Sequence, residues 1–285
     1  MEIREHVLLA PYTVFKIGGP ARYFCEVATV EELQEAFSWA SGKSLPYVVL
    51  GAGSNVLVSD TGFSGLAIRM ALREIRKEKE HDIYFGAGVS MASAVSVSIA
   101  EGRSGFEWGV GIPGTIGGSV YGNAGCFGGE MKDVVESVEV FDSQTAKNYK
   151  LSTINCEFGY RNSIFKKHPE WIIVGASLQL VAGDSTLSRQ KVLEYTKKRT
   201  ASQDIGTQCA GCIFKNPAHP AGYLIDTAGL KGARVGAAMV SNRHANYIIN
   251  TGGATARDVR ALIGTIKEKV KQIHGVELEE EIRYI

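Results

Sequence analysis

The sequence predicts an α+β fold in two regions, with the ligand loops in the first. Short apolar strands alternate with amphipathic helices, so the apolar period changes between two and about 3.6 along the chain. Two glycine runs also lie beside apolar strands. One is Gly111-Ile112-Pro113-Gly114-Thr115-Ile116-Gly117-Gly118, with Asn123-Ala124-Gly125 after it; the other is Gly51-Ala52-Gly53-Ser54-Asn55.

The elements follow in order. Thr29-Val30-Glu31-Glu32 is a capping-box start, and Leu33, Ala36, Phe37 and Ala40 recur at helical spacing before Gly42 stops the helix. Tyr47 to Leu50 reads as a short buried strand opening directly into the first glycine run, and Leu66–Ile68 and Ile83–Phe85 read as strands. Ala92 to Ala100 is a helix of small residues ending near Gly102. The run Gly111–Gly118 holds four glycines and a proline in eight residues, a composition read here as neither helix nor strand interior. Val134, Glu136, Val138 and Val140 alternate, which is strand, and Trp171–Leu180 is another apolar strand. Leu187 to Arg199 is expected to be a charged amphipathic helix at the boundary between the regions. Beyond it come a short helix, Ala221–Ala228, and a strand, Tyr247–Asn250. Thr255 then caps a helix running to His274, with Gly275 at its stop, and Val276 to Ile285 alternates as a closing strand.

Composition narrows the function. Apolar residues are 45% and charged residues 21% of the 285, normal for a globular protein. A net charge of +1 gives no basic excess for nucleic acid, and no apolar run approaches the ~18 residues of a membrane span. The start, Met1-Glu2-Ile3-Arg4-Glu5-His6, does not read as a secretory signal, and five cysteines without one point to free thiols in the cytoplasm.

Glycine runs of this kind bring bare backbone N–H groups close to a phosphate, and two of them suggest an extended ligand with a pyrophosphate, such as a dinucleotide. Gly51–Asn55 lacks the G-x-G-x-x-G spacing of a Rossmann turn and the lysine of a nucleotide-hydrolase loop. Cys209-Ala210-Gly211-Cys212 is open to four readings: a redox disulfide, half a zinc site, a single proton-donating thiol, or two small buried residues. Arg161, in Phe158-Gly159-Tyr160-Arg161-Asn162-Ser163, is either a surface ion-pair partner or a carboxylate anchor. Glu277, Glu279, Glu280 and Glu281 read as an acidic edge, and His244 as either an acid–base group or a structural hydrogen-bonder.

Together these residues carry a resemblance. Thr13-Val14-Phe15-Lys16-Ile17-Gly18-Gly19, Leu50–Asn55, Gly111–Gly125, Tyr160-Arg161-Asn162-Ser163, Ala210–Pro217 (AGCIFKNP) and Leu278–Arg283 (LEEEIR) stand in the order of the UDP-N-acetylenolpyruvoylglucosamine reductase family. The chain resembles the smaller type of that family, since the path from Arg161 to Trp171 is short. The resemblance implies an FAD-binding domain of the vanillyl-alcohol-oxidase type over 14–183. A smaller α+β substrate-binding domain follows over 184–285, with its last strand returning to the FAD domain. It further implies non-covalent FAD and NADPH as co-substrate, a UDP-sugar as substrate, no metal, no nucleic-acid or membrane partner, and a monomer. No His or Cys in the first loop invites covalent flavin attachment.

Carried over residue by residue, the resemblance gives Arg161, Cys212 and Glu281 the catalytic roles. Gly51, Gly53, Ser54, Asn55, Pro113, Gly114, Gly117, Gly118 and Gly125 are expected to bind the cofactor, and Arg199, Lys215, Asn216 and His244 the substrate. Three departures stand out: Cys212 where most relatives carry a proton-donating serine, Ser202 and Asp204 in place of a lysine and a proline, and Phe127 where tyrosine is frequent. A thiol, with a pKa of ~8.5, is still mostly protonated at neutral pH. The other reading weighed is a different FAD-linked oxidase or dehydrogenase of the same fold, acting on a sugar or alcohol.

Overall fold

In the computed structural model, which describes residues 1–79, 81–204, 206–216 and 219–285, the chain divides into two units. The first holds Met1–Ile3, Phe24–Ala52 and Leu66–Arg199; the second holds Arg4–Tyr23, Gly53–Gly65 and Thr200–Ile285. The division falls inside the first glycine run, between Ala52 and Gly53.

In the first unit, α1 (Val30–Gly42) starts as its sequence requires. The Thr29 hydroxyl accepts from Glu32 N at 3.2 Å, and the Glu32 carboxylate accepts from Ala28 N at 2.7 Å. The four apolar residues spaced along it, Leu33, Ala36, Phe37 and Ala40, are its buried ones. Tyr47–Leu50 pairs in parallel with Leu66–Arg69 and delivers the chain to Gly51. A five-stranded antiparallel sheet runs in the order Lys147–Ser152, Val135–Asp142, Trp171–Gln179, Asp82–Gly86, Ile75–Lys77. The alternation expected from Val134 is broken. Register shifts against Trp171–Gln179 fall between Val135 and Ser137 and between Glu139 and Val140, so that Val140 and Phe141 are both buried. A central strand covered on both faces needs no polar side, and each shift re-aims the side chains beyond it.

α2 (Met91–Ala100) begins at Ser90, whose hydroxyl accepts from Ser93 N at 3.1 Å. The second glycine run departs from expectation: Ile116–Tyr121 is a short helix, α3, with Gly117 and Gly118 inside its first turn. Close packing explains the glycine, because a Cβ at Gly117 would lie 2.8 Å from the Ala87 Cβ. α4 (Ser185–Ser202) is a helix as expected but not an amphipathic one. Only Ser188 and Arg199 are buried, and Leu187 and Leu193 are 59% and 60% exposed. It is anchored by polar ties, Ser188 Oγ donating to the buried Glu107 at 2.5 Å and Ser185 Oγ to Ile99 O at 2.7 Å.

In the second unit, a three-stranded antiparallel sheet (Arg234–Val235, Ala238–Val240, Ile248–Asn250) shares an apolar core with α5 (Ala221–Thr227) and α6 (Ala256–His274). Val259, Leu262, Ile263, Ile266 and Val270 of α6 fill that core beside Phe15, Ile17 and Leu57. α6 carries the full capping box of Thr255 and Asp258 and ends at Gly275, whose φ of 68° is the left-handed stop the sequence predicts. Asp60 adds a second cap, accepting from Ala256 N at 2.7 Å and Arg257 N at 3.0 Å. The closing segment is less regular than its alternation suggests. Only Arg283–Tyr284 forms a strand, parallel to Val56–Leu57, and Glu280 makes an isolated bridge with Phe214. Among the described residues, no helix is long and apolar enough to cross a membrane, and no three His, Cys, Asp or Glu side chains group as metal ligands.

Candidate functional site

The two glycines of the first run are needed for different reasons. In the first unit, a Cβ on Gly51 would lie 2.6 Å from the Thr115 hydroxyl, which caps α3 by accepting from Gly118 N at 3.4 Å. In the second unit, Gly53 has φ +64°, and a Cβ there would stand 2.3 Å from Tyr12 O. Gly53 O also accepts from Val14 N at 3.0 Å, so the loop is held by its carbonyl. Among the described residues, the N–H groups of Gly53, Ser54 and Asn55 donate to no protein acceptor. Bare backbone with uncommitted N–H groups fits a pyrophosphate.

The second run is more selective than its glycine count suggests. Gly114 has φ +147°, and its carbonyl accepts from Met91 N. Gly117 N donates to Ala87 O at 3.0 Å and Gly118 N to Thr115, so these two amides are committed and the loop proper is Pro113-Gly114-Thr115. Gly125 opens a tight hairpin, Gly125–Cys126 against Gly129–Glu130, where a Cβ would meet the Glu130 Cβ at 2.7 Å. At the hairpin tip Phe127, with φ +54°, stacks on Tyr195 at 4.7 Å. Arg199, 7% exposed, lies with its guanidinium 5.3 Å from the Phe127 ring and its Cδ 2.8 Å from a Cβ built on Gly111.

Arg161 sits on a tight turn in which Gly159 N donates to Asn162 O at 3.0 Å and Asn162 N to Gly159 O at 3.1 Å. Its φ of 51° is left-handed, uncommon for a residue with a side chain. Lys166 Nζ donates to Arg161 O at 2.6 Å, and Ser163 Oγ ties the turn to Tyr121 O at 2.7 Å.

In the second unit, Cys212–Lys215 is clasped from two sides. Ile213 N donates to Asn246 O at 2.9 Å, while Glu281 N donates to Ile213 O and Lys215 N to Glu279 O, each at 2.8 Å. Cys212 and Glu281 are thereby brought into neighbouring segments, 69 positions apart in sequence. Asn55 Nδ2 reaches Glu281 O at 3.2 Å, so this loop side chain holds the terminal segment. Lys215 pairs with Glu279, and Asn216 Oδ1 accepts from Ala221 N at 3.1 Å at the start of α5. The residue after Asn216, Pro217 of the AGCIFKNP motif, lies outside the described residues.

The pair Cys209 and Cys212 forms no disulfide. Asn250 N donates to Gln208 O and Cys212 bridges Tyr247, so this side carries one extra residue, and Gly211 between the two cysteines is left-handed with φ +73°. All five thiols are free. His244 leans on Tyr247 at 4.2 Å, and its buried Nδ1 has no hydrogen-bond partner among the described residues. Burial holds its imidazole below the ordinary histidine pKa.

Two asparagines escape the sequence reading. Asn123 is fully buried, with φ +44°, and Asn246 makes both hydrogen bonds of a strand partner to Phe214, at 3.0 and 2.8 Å. The available signal for Asn123 was an asparagine just past a glycine-rich helix, where a left-handed residue is needed.

The comparisons with known proteins match this arrangement. An FAD binding domain matches residues 21–149, which makes the chain a flavoprotein of α+β fold. The C-terminal domain of UDP-N-acetylenolpyruvoylglucosamine reductase matches residues 203–285. Among curated relatives, the reductase of Synechococcus sp. (strain JA-3-3Ab) is 40% identical over 99% of this chain and 91% of its own length. That of Protochlamydia amoebophila is 41% identical over 100% and 94%. The crystal structure of UDP-N-acetylenolpyruvylglucosamine reductase from Thermus caldophilus is 37% identical, covers 99% of both chains and has a TM-score of 0.84. The chain belongs to the UDP-N-acetylenolpyruvoylglucosamine reductase family and is an FAD-dependent oxidoreductase.

Proposed function

We propose that this chain reduces UDP-N-acetylenolpyruvoylglucosamine to UDP-N-acetylmuramate with NADPH, a cytoplasmic step of peptidoglycan precursor synthesis. Residues 14–183 bind FAD without a covalent bond, and residues 184–285 bind the UDP-sugar. The observation that carries the reading is the 2.8 Å bond from Glu281 N to Ile213 O, which brings the segment bearing this acid beside the segment bearing the Cys212 thiol. An acid and a thiol on adjoining segments are groups that the reduction of an enol ether can use.

When bound, FAD supplies the hydride it takes from NADPH to the methylene carbon of the enolpyruvyl group. Gly53, Ser54 and Asn55 would hold its pyrophosphate through backbone N–H groups, and Gly51 and Pro113–Thr115 are the residues of the first unit that would contact the cofactor. Hydride addition leaves negative charge on the adjacent carbon, spread into the carboxylate. The Arg161 guanidinium holds that carboxylate and stabilises the charge. Cys212 gives the thiol proton to the carbanionic carbon, so one hydride and one proton are added across the double bond. Glu281 assists as a polarising or proton-bearing group. Lys215 and Arg199 supply positive charge for the sugar nucleotide, and Asn216 and His244 line its pocket.

The test is spectroscopic. Purified protein is expected to be yellow, to bleach anaerobically with NADPH, and to recover its colour on addition of the enolpyruvyl sugar nucleotide. A colourless protein, or reoxidation by oxygen and not by the sugar nucleotide, overturns the proposal.

A further inference from the structure

The Arg161 turn does not fix its own place. Its two internal hydrogen bonds close Gly159–Asn162 on itself, and the left-handed φ of Arg161 leaves its backbone in a sparsely populated region. Something outside the turn must over-determine it: Ser163 Oγ ties its far end to Tyr121 O at 2.7 Å, Lys166 Nζ holds Arg161 O at 2.6 Å, and the near end, Gly159, is held by a single buried side chain. Asn123 Nδ2 donates to Gly159 O at 3.0 Å and also to Glu130 Oε2 at 2.6 Å, while its Oδ1 accepts from Lys132 N at 2.9 Å. Both amide hydrogens and the carbonyl are therefore engaged, and Asn123 is fully buried. The orientation of the carboxamide is fixed by this set. A flipped amide would set its oxygen against a carboxylate and a carbonyl and its NH2 against a backbone N–H. Asn123 N also donates to Val120 O at 3.2 Å, placing the residue at the end of α3.

We propose that Asn123 is a positioning residue for the reductive chemistry: it sets the Arg161 turn at a defined distance from the α3 glycine loop. This rests on the reading of Arg161 as the carboxylate anchor. Asparagine suits the position on two counts. It tolerates a left-handed φ better than most residues, and its uncharged head supplies two donors and an acceptor at once. Aspartate has the same shape but no donor for Gly159 O, and would face the Glu130 carboxylate.

The test uses the FAD-loaded enzyme and separates its two half-reactions. Asn123→Gly keeps the backbone conformation and removes the carboxamide; Asn123→Asp keeps the shape and reverses the hydrogen bonding. Both are expected to retain FAD and to be reduced by NADPH within about threefold of the parent rate. Reoxidation by the enolpyruvyl sugar nucleotide is expected to fall roughly 10–100-fold, the scale on which misplacing a reacting group acts, with KM for that substrate raised. Combined with Arg161→Ala, Asn123→Gly is expected to add no further loss, because it acts through Arg161. Normal reoxidation in both Asn123 variants overturns the proposal, as does a parallel fall of both half-reactions or an additive double mutant. Should Arg161→Ala itself reoxidise normally, the reading of Arg161 fails instead, and the two failures are told apart.

Discussion

Replacing Gly53 by alanine tests how the first glycine loop is built. The new Cβ would lie 2.3 Å from Tyr12 O, 2.8 Å from Thr13 Cα and 3.2 Å from Tyr12 C, all of them backbone atoms. That backbone has no room to retreat, because the buried Thr13 hydroxyl donates to Ile17 O at 3.0 Å and accepts from Ile17 N at 3.3 Å. The left-handed φ of +64° adds its own cost. A non-glycine residue in that region costs about 1–2 kcal/mol, and overpacking typically about 1–3 kcal/mol. Gly53→Ala is therefore expected to destabilise by about 2–5 kcal/mol, a large share of the ~5–15 kcal/mol of a typical protein. Gly51→Ala meets only the Thr115 side chain, which can rotate at the cost of its long bond to Gly118 N, about 0.5–1.5 kcal/mol. Gly264, in the middle of α6 with no atom within 4 Å of a built Cβ, serves as control: Gly264→Ala is expected to be stabilising by about 0.5–1 kcal/mol. The assay is thermal unfolding followed by tryptophan fluorescence and by release of fluorescent FAD. The order of melting temperature should be Gly264→Ala, parent, Gly51→Ala, Gly53→Ala, with FAD released earliest from the last. A Gly53→Ala protein that melts with the parent and holds FAD as tightly refutes the argument.

Other perturbations have equally definite outcomes. Burial pushes the Cys25 thiol up to about 11 and Cys156 up to about 12, and Cys209 is only 8% exposed, so alkylation at neutral pH should reach Cys126 and Cys212 first. Enzyme carrying Cys126→Ser is expected to be inactivated by alkylation, and one carrying Cys212→Ser to turn over and resist it; parent enzyme fully resistant to alkylation would remove Cys212 from the site. Asp60→Ala deletes a carboxylate that caps two N–H groups of α6 and should lower stability by about 1–2 kcal/mol. An unchanged urea midpoint would show that Thr255 and Asp258 suffice. His244 is held below the unfolded-state pKa of about 6.5. The unfolded chain therefore takes up a proton that the folded chain refuses, and stability falls as pH drops below about 6.5. His244→Gln should flatten that decline in melting temperature between pH 7.5 and 5.5, and an identical slope in both proteins would rule the group out.

Legibility followed how local the determinants are. α1 and α6 were readable to their ends because their stop and start signals, Thr29 with Glu32 and Thr255 with Asp258 and Gly275, lie within one turn of the helix they bound. α4 was legible as a helix but not in its exposure, since its anchors, the Glu107 carboxylate and the Ile99 carbonyl, lie some eighty residues upstream and hold it by hydrogen bonds. The helix within the second glycine run was hidden too. Gly117 and Gly118 carry poor propensity, and the close approach of Ala87 that calls for glycine at 117 is a contact between distant parts of the chain. Arg161, Cys212 and Glu281 were proposed through a resemblance. Residue types alone left Arg161 between a surface ion pair and a carboxylate anchor, Cys212 among four readings, and Glu281 as one member of an acidic edge.

What the three positions proposed as catalytic share is an asparagine on the backbone beside them. Gly159, two residues before Arg161, is held by Asn123; Phe214, two residues after Cys212, by both polar groups of Asn246; and Glu281 itself by Asn55. A carboxamide donates and accepts at once, so one side chain can hold both an N–H group and a carbonyl. Lysine in those places could only donate and an ionised aspartate only accept, whereas Asn246 does both on Phe214 and Asn123 does both on Gly159 O and Lys132 N. Asn246, for which Phe214 N and O are both partners, also helps hold a run as short as Cys212–Lys215 in place where only isolated bridges link it to its neighbours. The proposed chemistry needs its polar groups in place beforehand, and two-way carboxamides of this kind set the backbone beside each of them, with Lys166 on Arg161 O as a charged addition.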